Sequence, residues 1–347
     1  MLKVGERKKK KIVTGTVGVG VLVILTYITL NILVESKPPP PSESEPFDYV
    51  LSPVDSLELK NMKVQQSQNI EIKGEMLPRI RPFECVRRSL RDNQTTFIMC
   101  IKPLETDFTI SGDIYYEGYY EKDELRMTLN LLAKYPDATF LDIGSNIGMF
   151  SVTVAAANYS VIAVDPFKTN LAYTRLSTML QGTENNVRYI PHTISDSKHT
   201  LYPWTPIKTN EGGTPFLTEE VAKTKPKDEI GEGVDSITFL ELLDVVFTDT
   251  VIIKMDIEGS ECNALVPFLE NNPKTKIIPY ILMEWVVSSW NVTGLCKDIQ
   301  RLIQGFTANG YFPVNATSGK ELELNTEKQW YNVLWVHQNA ERFSLNL

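Results

Sequence analysis

Apolar residues along this chain fall into three patterns. The first is unbroken: Ile12 to Val34 is a run of 23 residues without a charged side chain. At about 1.5 Å per residue a helix of that length reaches about 35 Å, enough to cross a bilayer core of about 30 Å. The second pattern is a series of short runs, four to eight residues each, bounded by turn-forming residues: 139–143, 161–164, 186–190, 250–256, 277–284, 311–314 and 331–336. Such runs read as buried strands. The third lies between them. Leu125, Leu129 and Leu132 repeat at helical spacing within 124–135, and the stretches 170–180, 238–246 and 295–309 also read as helices. Strands alternating with helices predict an α/β fold: a mostly parallel seven-stranded sheet with helices on both faces, preceded by an N-terminal transmembrane helix.

Charge orients the first run. Lys3, Arg7 and Lys8 to Lys11 precede it with only Glu6 opposing, whereas Glu35 and Lys37 follow at once. The positive-inside rule then leaves 1–11 as a cytosolic basic tail and makes 12–34 the anchor of a single-pass type II protein, with the rest luminal. A cleaved signal peptide fits less well, because no small-x-small cleavage site follows. Residues 35–60 begin with SKPPPPSESEP, whose prolines favour an extended stalk. Residues 61–120 form an N-terminal luminal extension, and 121–340 the main domain. Within it the polar stretch 199–233 is too long for an ordinary connection and is expected to be a disordered insert or a lid, with Trp204 keeping a substrate role open.

Net charge is −8 although the tail is strongly basic, so the body is acidic. That is a poor match for nucleic acid phosphates, and no nucleic acid partner is expected. The cysteines Cys85, Cys100, Cys262 and Cys296 show no metal-binding spacing. Cys85 and Cys100 would form a disulfide in a lumen. Asn93, Asn158, Asn291 and Asn315 begin N-glycosylation tripeptides, a weak signal that agrees with a glycoprotein.

The chemistry gathers at strand ends. The run ending in Asp142-Ile143 leads into Gly144-Ser-Asn-Ile-Gly148, a tight turn that opens a helix, and the next strand closes on Asp165. In doubly wound sheets ligands bind at the carboxyl ends of the strands, and an acid there accepts from ribose hydroxyls. Asp256 and Glu284 end two further strands. Glu258 and Glu261 follow Asp256, and Glu261 reads as a helix-start acid. Lys254 is a charge partner for these acids, and His192 reads as structural. No His/Asp spacing requires a divalent ion, and no metal is assigned.

LDIGSNIGMFS at 141–151 followed by IIKMDIEGSE at 252–261 resembles the FkbM-type S-adenosylmethionine-dependent methyltransferases. Val164-Asp-Pro166, Thr193-Ile-Ser-Asp196 and Val234-Asp-Ser-Ile-Thr238 are similar as well, and the resemblance spans about 111–336. Asn146 stands where the usual methyltransferase turn has glycine. The anchor and insert lie outside the family core and resemble its membrane-anchored animal members. The resemblance implies a Rossmann-like class I methyltransferase with S-adenosyl-L-methionine as cofactor. Asp142, Gly144, Ser145, Asn146 and Gly148 would hold its methionine part and Asp165 its ribose, with Ser195 and Asp196 beside the adenine. Asp256, Glu258 and Glu284 would be the catalytic acids, one of them taking a proton from the acceptor hydroxyl.

The expected function is therefore O-methylation of a hydroxyl on a glycan or other small acceptor in the Golgi or ER. A catalytically inactive binding module of the same fold is the alternative, as is a type II glycosyltransferase, for which Asp256-Ile-Glu258 is only superficially DxD-like. An NAD dehydrogenase is disfavoured by the absence of GxGxxG spacing.

Overall fold

The computed structural model describes residues 77, 83–90, 95–205, 212–271, 274–286, 296, 299–323 and 330–341. The expected tail, anchor and stalk lie outside them, and among the described residues no helix is long and apolar enough to cross a membrane.

The first elements are β1 (Glu84–Leu90) and β2 (Thr95–Ile101), an antiparallel hairpin in which Cys85 faces Cys100 and is disulfide-bonded to it. Then come α1 (Ile110–Tyr116), α2 (Lys122–Leu132), β3 (Thr139–Ile143), α3 (Met149–Ala156), β4 (Ser160–Val164), α4 (Lys168–Gln181) and β5 (Val187–Ile190). A second group follows: β6 (Thr193–Ser195), β7 (Thr200–Pro203), β8 (Phe216–Leu217), α5 (Glu219–Ala222), β9 (Val234–Thr238) and α6 (Phe239–Asp244). The chain returns with β10 (Thr250–Met255), α7 (Glu261–Asn271), β11 (Ile277–Trp285), α8 (Ile299–Ala308), β12 (Tyr311–Asn315) and β13 (Trp330–His337).

Seven strands form one sheet in the order β12-β13-β11-β10-β3-β4-β5. From β5 to β11 neighbours are parallel, while β13 runs antiparallel to both β11 and β12, so the sheet is mixed. Parallel neighbours need a crossover, which the helices supply; β13 instead enters the gap between two strands already laid down and pairs against both. Its apolar strands carry period-2 burial on two sides. Phe140, Val161, Ile252 and Tyr280 belong to one apolar cluster, and their neighbours Leu141, Ile162, Ile253 and Ile281 to the other. A strand buried on both faces reads as a continuous apolar run, which is why these strands were visible in the sequence.

The hairpin explains why α3 is apolar all round. Every residue from Met149 to Ala155 is buried. The sheet covers one side, and β2 packs against the helix as well. The hairpin is fastened to α4 as well: Cys100 N donates to Ser177 Oγ at 2.8 Å and Ile98 N to Gln181 Oε1 at 3.0 Å. The polar stretch 199–233 differs from the expected disordered insert. Its described residues build β7, β8 and α5, and a four-stranded sheet of order β6-β9-β7-β8 ties them to the strands on either side. Leu201, Phe216 and Leu217 supply the buried apolar side chains that a short polar segment needs to fold.

Candidate active site

Strand β3 ends at Ile143 and the chain turns at once. Gly144 has φ 79° and Gly148 φ 90°, in the left-handed region that glycine tolerates best. The close approach Gly144 permits is to the protein itself. A Cβ there would lie 1.7 Å from the Asp256 carbonyl oxygen, and one on Gly148 would lie 2.4 Å from Thr174. The two strand ends that carry the candidate chemistry, β3 and β10, thus meet backbone to backbone at Gly144.

Asp165 sits beneath this turn. Its Oδ2 accepts from Asn146 N at 2.9 Å, and its Oδ1 from Phe167 N at 2.8 Å and Asn170 Nδ2 at 3.0 Å. Burial raises its pKa to about 6, against the lowering effect of those donors. Asp142 is more enclosed. Its Oδ2 accepts from Ser151 N at 3.0 Å and Ser151 Oγ at 2.6 Å, its Oδ1 has no partner, and burial pushes its pKa up.

A cavity of about 1090 Å³, its open mouth included, joins this turn to the end of β10. Six buried polar atoms without a hydrogen-bond partner belong to residues that line it: Asp142 Oδ1, Ser145 Oγ, Asn170 Oδ1, His192 Nε2, Thr214 Oγ1 and Ser260 Oγ. Buried polar groups in native proteins are nearly always paired, so a row of unpaired ones along one cavity marks where a ligand's polar groups belong. Their polar chemistry fits the amino, carboxylate and hydroxyl groups of an amino-acid nucleoside.

The far end of the cavity is acidic. Lys254 Nζ, buried on β10, lies 3.0 Å from Asp256 Oδ2, 3.9 Å from Glu121 Oε2 and 5.0 Å from the centre of the Phe150 ring. Burial opposes its charge, but Asp256, Glu121 and Asp142 outweigh that and hold the ammonium above its ordinary pKa. Burial raises Glu121 to about 7, with Lys254 pulling it down and Asp256 pushing it up. Burial also raises Glu258 and Glu284, and the charge of Asp256 adds to both. Glu261 stands apart. Its carboxylate accepts from Ile257 N at 2.9 Å and Gly259 N at 3.1 Å, fixing the turn that carries Glu258. The helix-start role expected of Glu261 is thus also a turn clamp, and the disulfide Cys262–Cys296 lies beside it.

Residues 142–312 match the model of the methyltransferase FkbM domain. That stretch is similar to a methyltransferase domain. Comparison with curated proteins found no match. Among solved structures, the methyltransferase FkbM from Methylobacillus flagellatus is 16% identical, with 58% of this chain and 44% of that one covered and a TM-score of 0.33. This chain thus spans less than half of that protein. An O-methyltransferase from Bacillus cereus, solved in complex with S-adenosylhomocysteine, is 10% identical over 62% of this chain and 80% of that one, TM-score 0.33. A TehB-like S-adenosylmethionine-dependent methyltransferase from Corynebacterium glutamicum is 10% identical over 65% and 94%, TM-score 0.35.

Within 142–312, Asp142, Gly144, Ser145, Asn146, Asp165, Asp256 and Glu258 all line the cavity. Gly148 does not line it but caps the start of α3, where Thr174 packs on it. Ser195 and Asp196 are elsewhere. Ser195 is buried and accepts from Asn263 Nδ2 at 2.8 Å, and Asp196 is exposed with Ser197 Oγ donating to it at 2.9 Å. The reason is that β6 leaves the main sheet, so His192, Thr193 and Ile194 line the cavity instead. His192, read as structural, hydrogen-bonds the Asp235 carbonyl through Nδ1 and leaves Nε2 at the cavity. Glu284 does not line the cavity but stands beside Asp256 and Glu258. Glu121 was missed. In the sequence it is one of several acids opening α2, and only its left-handed φ of 50° and contact with Lys254 mark it out. Gly212, Gly213 and Thr214 bring the polar stretch to the cavity wall, a position with no signal in the sequence.

Proposed function

We propose that this protein is an S-adenosylmethionine-dependent O-methyltransferase, membrane-anchored through 12–34, that methylates a hydroxyl of a glycan or other small acceptor in the ER or Golgi lumen. One observation carries the reading: a single cavity runs from unpaired polar atoms at a glycine turn to a cluster of carboxylates at the end of β10. The match of 142–312 to a methyltransferase domain supports it.

Asp142 Oδ1, Ser145 Oγ and Asn170 Oδ1 would hold the cofactor's polar groups, and Asp165 keeps the turn in place beneath them. The cofactor supplies a methyl group on a sulfonium, already a good leaving arrangement. What remains for the chain is alignment and removal of the hydroxyl proton. Asp256 faces the cavity beside Glu258 and takes that proton, while Lys254 balances the charge of Asp256. A luminal location accords with all four cysteines being paired in two disulfides.

The test is transfer of a labelled methyl group to a panel of glycans and small hydroxyl acceptors by the full chain. Asp256→Ala is expected to lower turnover by about 10²–10⁴. Cofactor binding without transfer to any acceptor would favour a non-catalytic module, and absence of cofactor binding would end the methyltransferase reading.

A further inference from the structure

Three carboxylates stand together at the acidic end of the cavity. Asp256 follows β10, Glu258 lies in the next turn and Glu284 near the end of β11, and one oxygen of each lies within 4.8 Å of the others. Lys254 reaches only one of these side chains, through Asp256 Oδ2 at 3.0 Å. Among the described residues no hydrogen bond or ion pair reaches the carboxylate of Glu258 or Glu284. A second observation comes from the same turn. Ser260 Oγ is buried, lines the same cavity as Asp256 and Glu258, and has no partner. Glu258 itself is held at φ 53°, a conformation unusual for a residue other than glycine.

We propose that Asp256, Glu258 and Glu284, with the unpartnered Ser260 Oγ on the same cavity wall, bind a divalent, oxygen-preferring cation: magnesium, manganese or calcium. An all-oxygen set without histidine or cysteine selects this class of metal over zinc or copper. The spacing agrees. Oxygens on opposite sides of magnesium at about 2.1 Å lie about 4.2 Å apart, and around calcium at about 2.4 Å they lie about 4.8 Å apart. The cation neutralises carboxylates that a single lysine leaves unbalanced. At this end of the cavity it also holds the acceptor hydroxyl oxygen and lowers that hydroxyl's pKa. This last consequence rests on the methyltransferase reading; metal binding does not.

The experiment is titration of the full-length chain in detergent with manganese alone, followed by electron paramagnetic resonance. One bound manganese is expected, displaced by magnesium or calcium. Glu258→Gln and Glu284→Gln should each weaken binding about tenfold or more, while Glu270→Gln, in the exposed ion pair with Arg301, leaves it unchanged. Circular dichroism verifies that each variant is folded. Failure of the folded wild-type chain to bind manganese at about 1 mM, or affinity unaltered by both substitutions, overturns the site. A parallel titration with S-adenosylhomocysteine separates the two readings. Manganese binding without S-adenosylhomocysteine binding removes the methyltransferase and keeps the metal site; the converse result does the opposite.

Discussion

At the glycine turn Asp165 accepts three hydrogen bonds and Asp142 two, all from groups within about thirty residues of sequence, so the carboxylates there are fixed by their own neighbourhood. At the other end of the cavity, Glu121 and Asp256 share one buried lysine, Glu284 stands beside Asp256 from a separate strand, and among the described residues no donor reaches the carboxylates of Glu258 and Glu284. The first region is finished before a ligand arrives, apart from the few atoms that face the cavity. The second gathers more carboxyl groups than the described residues supply cations for. Pre-organised donors suit recognition of a constant cofactor, and an unbalanced acidic cluster suits handling a proton or a cation.

Substitutions at each end break or sharpen this contrast. The largest effect is expected from Lys254→Met, which removes the cation that touches both Asp256 and Glu121. Loss of one partner from a buried ion pair predicts destabilisation of about 3–5 kcal/mol near pH 8, measured by denaturant unfolding. The loss should shrink as pH falls through about 7, where Glu121 takes up a proton. Gly144→Ala comes next. Its added Cβ meets backbone of β10 and its φ is left-handed, so a loss of about 3 kcal/mol is expected, with cofactor and metal binding both impaired because both ends meet there.

A smaller effect concerns pH. The folded pKa of Glu121 is raised from 4.5 to about 7. A raised carboxyl stabilises the folded state below the unfolded pKa, and that contribution is lost as pH rises from about 4.5 through about 7. Glu121→Gln should therefore flatten the fall in stability across that window, read from unfolding curves at successive pH values. An unchanged slope would mean that the group does not titrate there. The smallest effect is expected from Asn146→Gly. Asn146 has φ 50° and its role toward Asp165 is played by its backbone N–H, which glycine keeps. Stability should stay within about 1 kcal/mol of wild type by the same measurement.

The contrast also explains what the sequence reveals. The strand ending at Ile143, the turn through Gly148 and the strand closing on Asp165 are contiguous, and their periodicity and glycines are local signals. Asp256 and Glu258 are equally local to β10. Glu121 is not: it reads as one of the acids that commonly open a helix, and its place beside Lys254 depends on how α2 packs against the sheet. Ser195 and Asp196, expected beside the adenine, stand off the cavity wall for a related reason. Sequence order carries the chain past β5 toward the cavity, but β6 pairs with β9, Thr193 against Ser236 and Ser195 against Thr238, a separation of 43 residues in a sheet that pattern alone does not reveal. The polar stretch 199–233 hid its fold because its buried side chains are few, with Phe216 and Leu217 forming a strand of two residues. Cys262 and Cys296 likewise pair across 34 residues of sequence, a link that no local pattern announces.

The most direct test of the central claim is calorimetric titration of S-adenosylhomocysteine into the full chain and two variants. The claim is that the glycine-turn end of the cavity holds the cofactor. It predicts one binding site, weakened about tenfold or more by Asp142→Asn, which alters the unpaired Oδ1 atom, and unchanged by Asp196→Asn, which lies outside the cavity. No binding by the folded chain, or a loss on Asp196→Asn equal to that on Asp142→Asn, would contradict it.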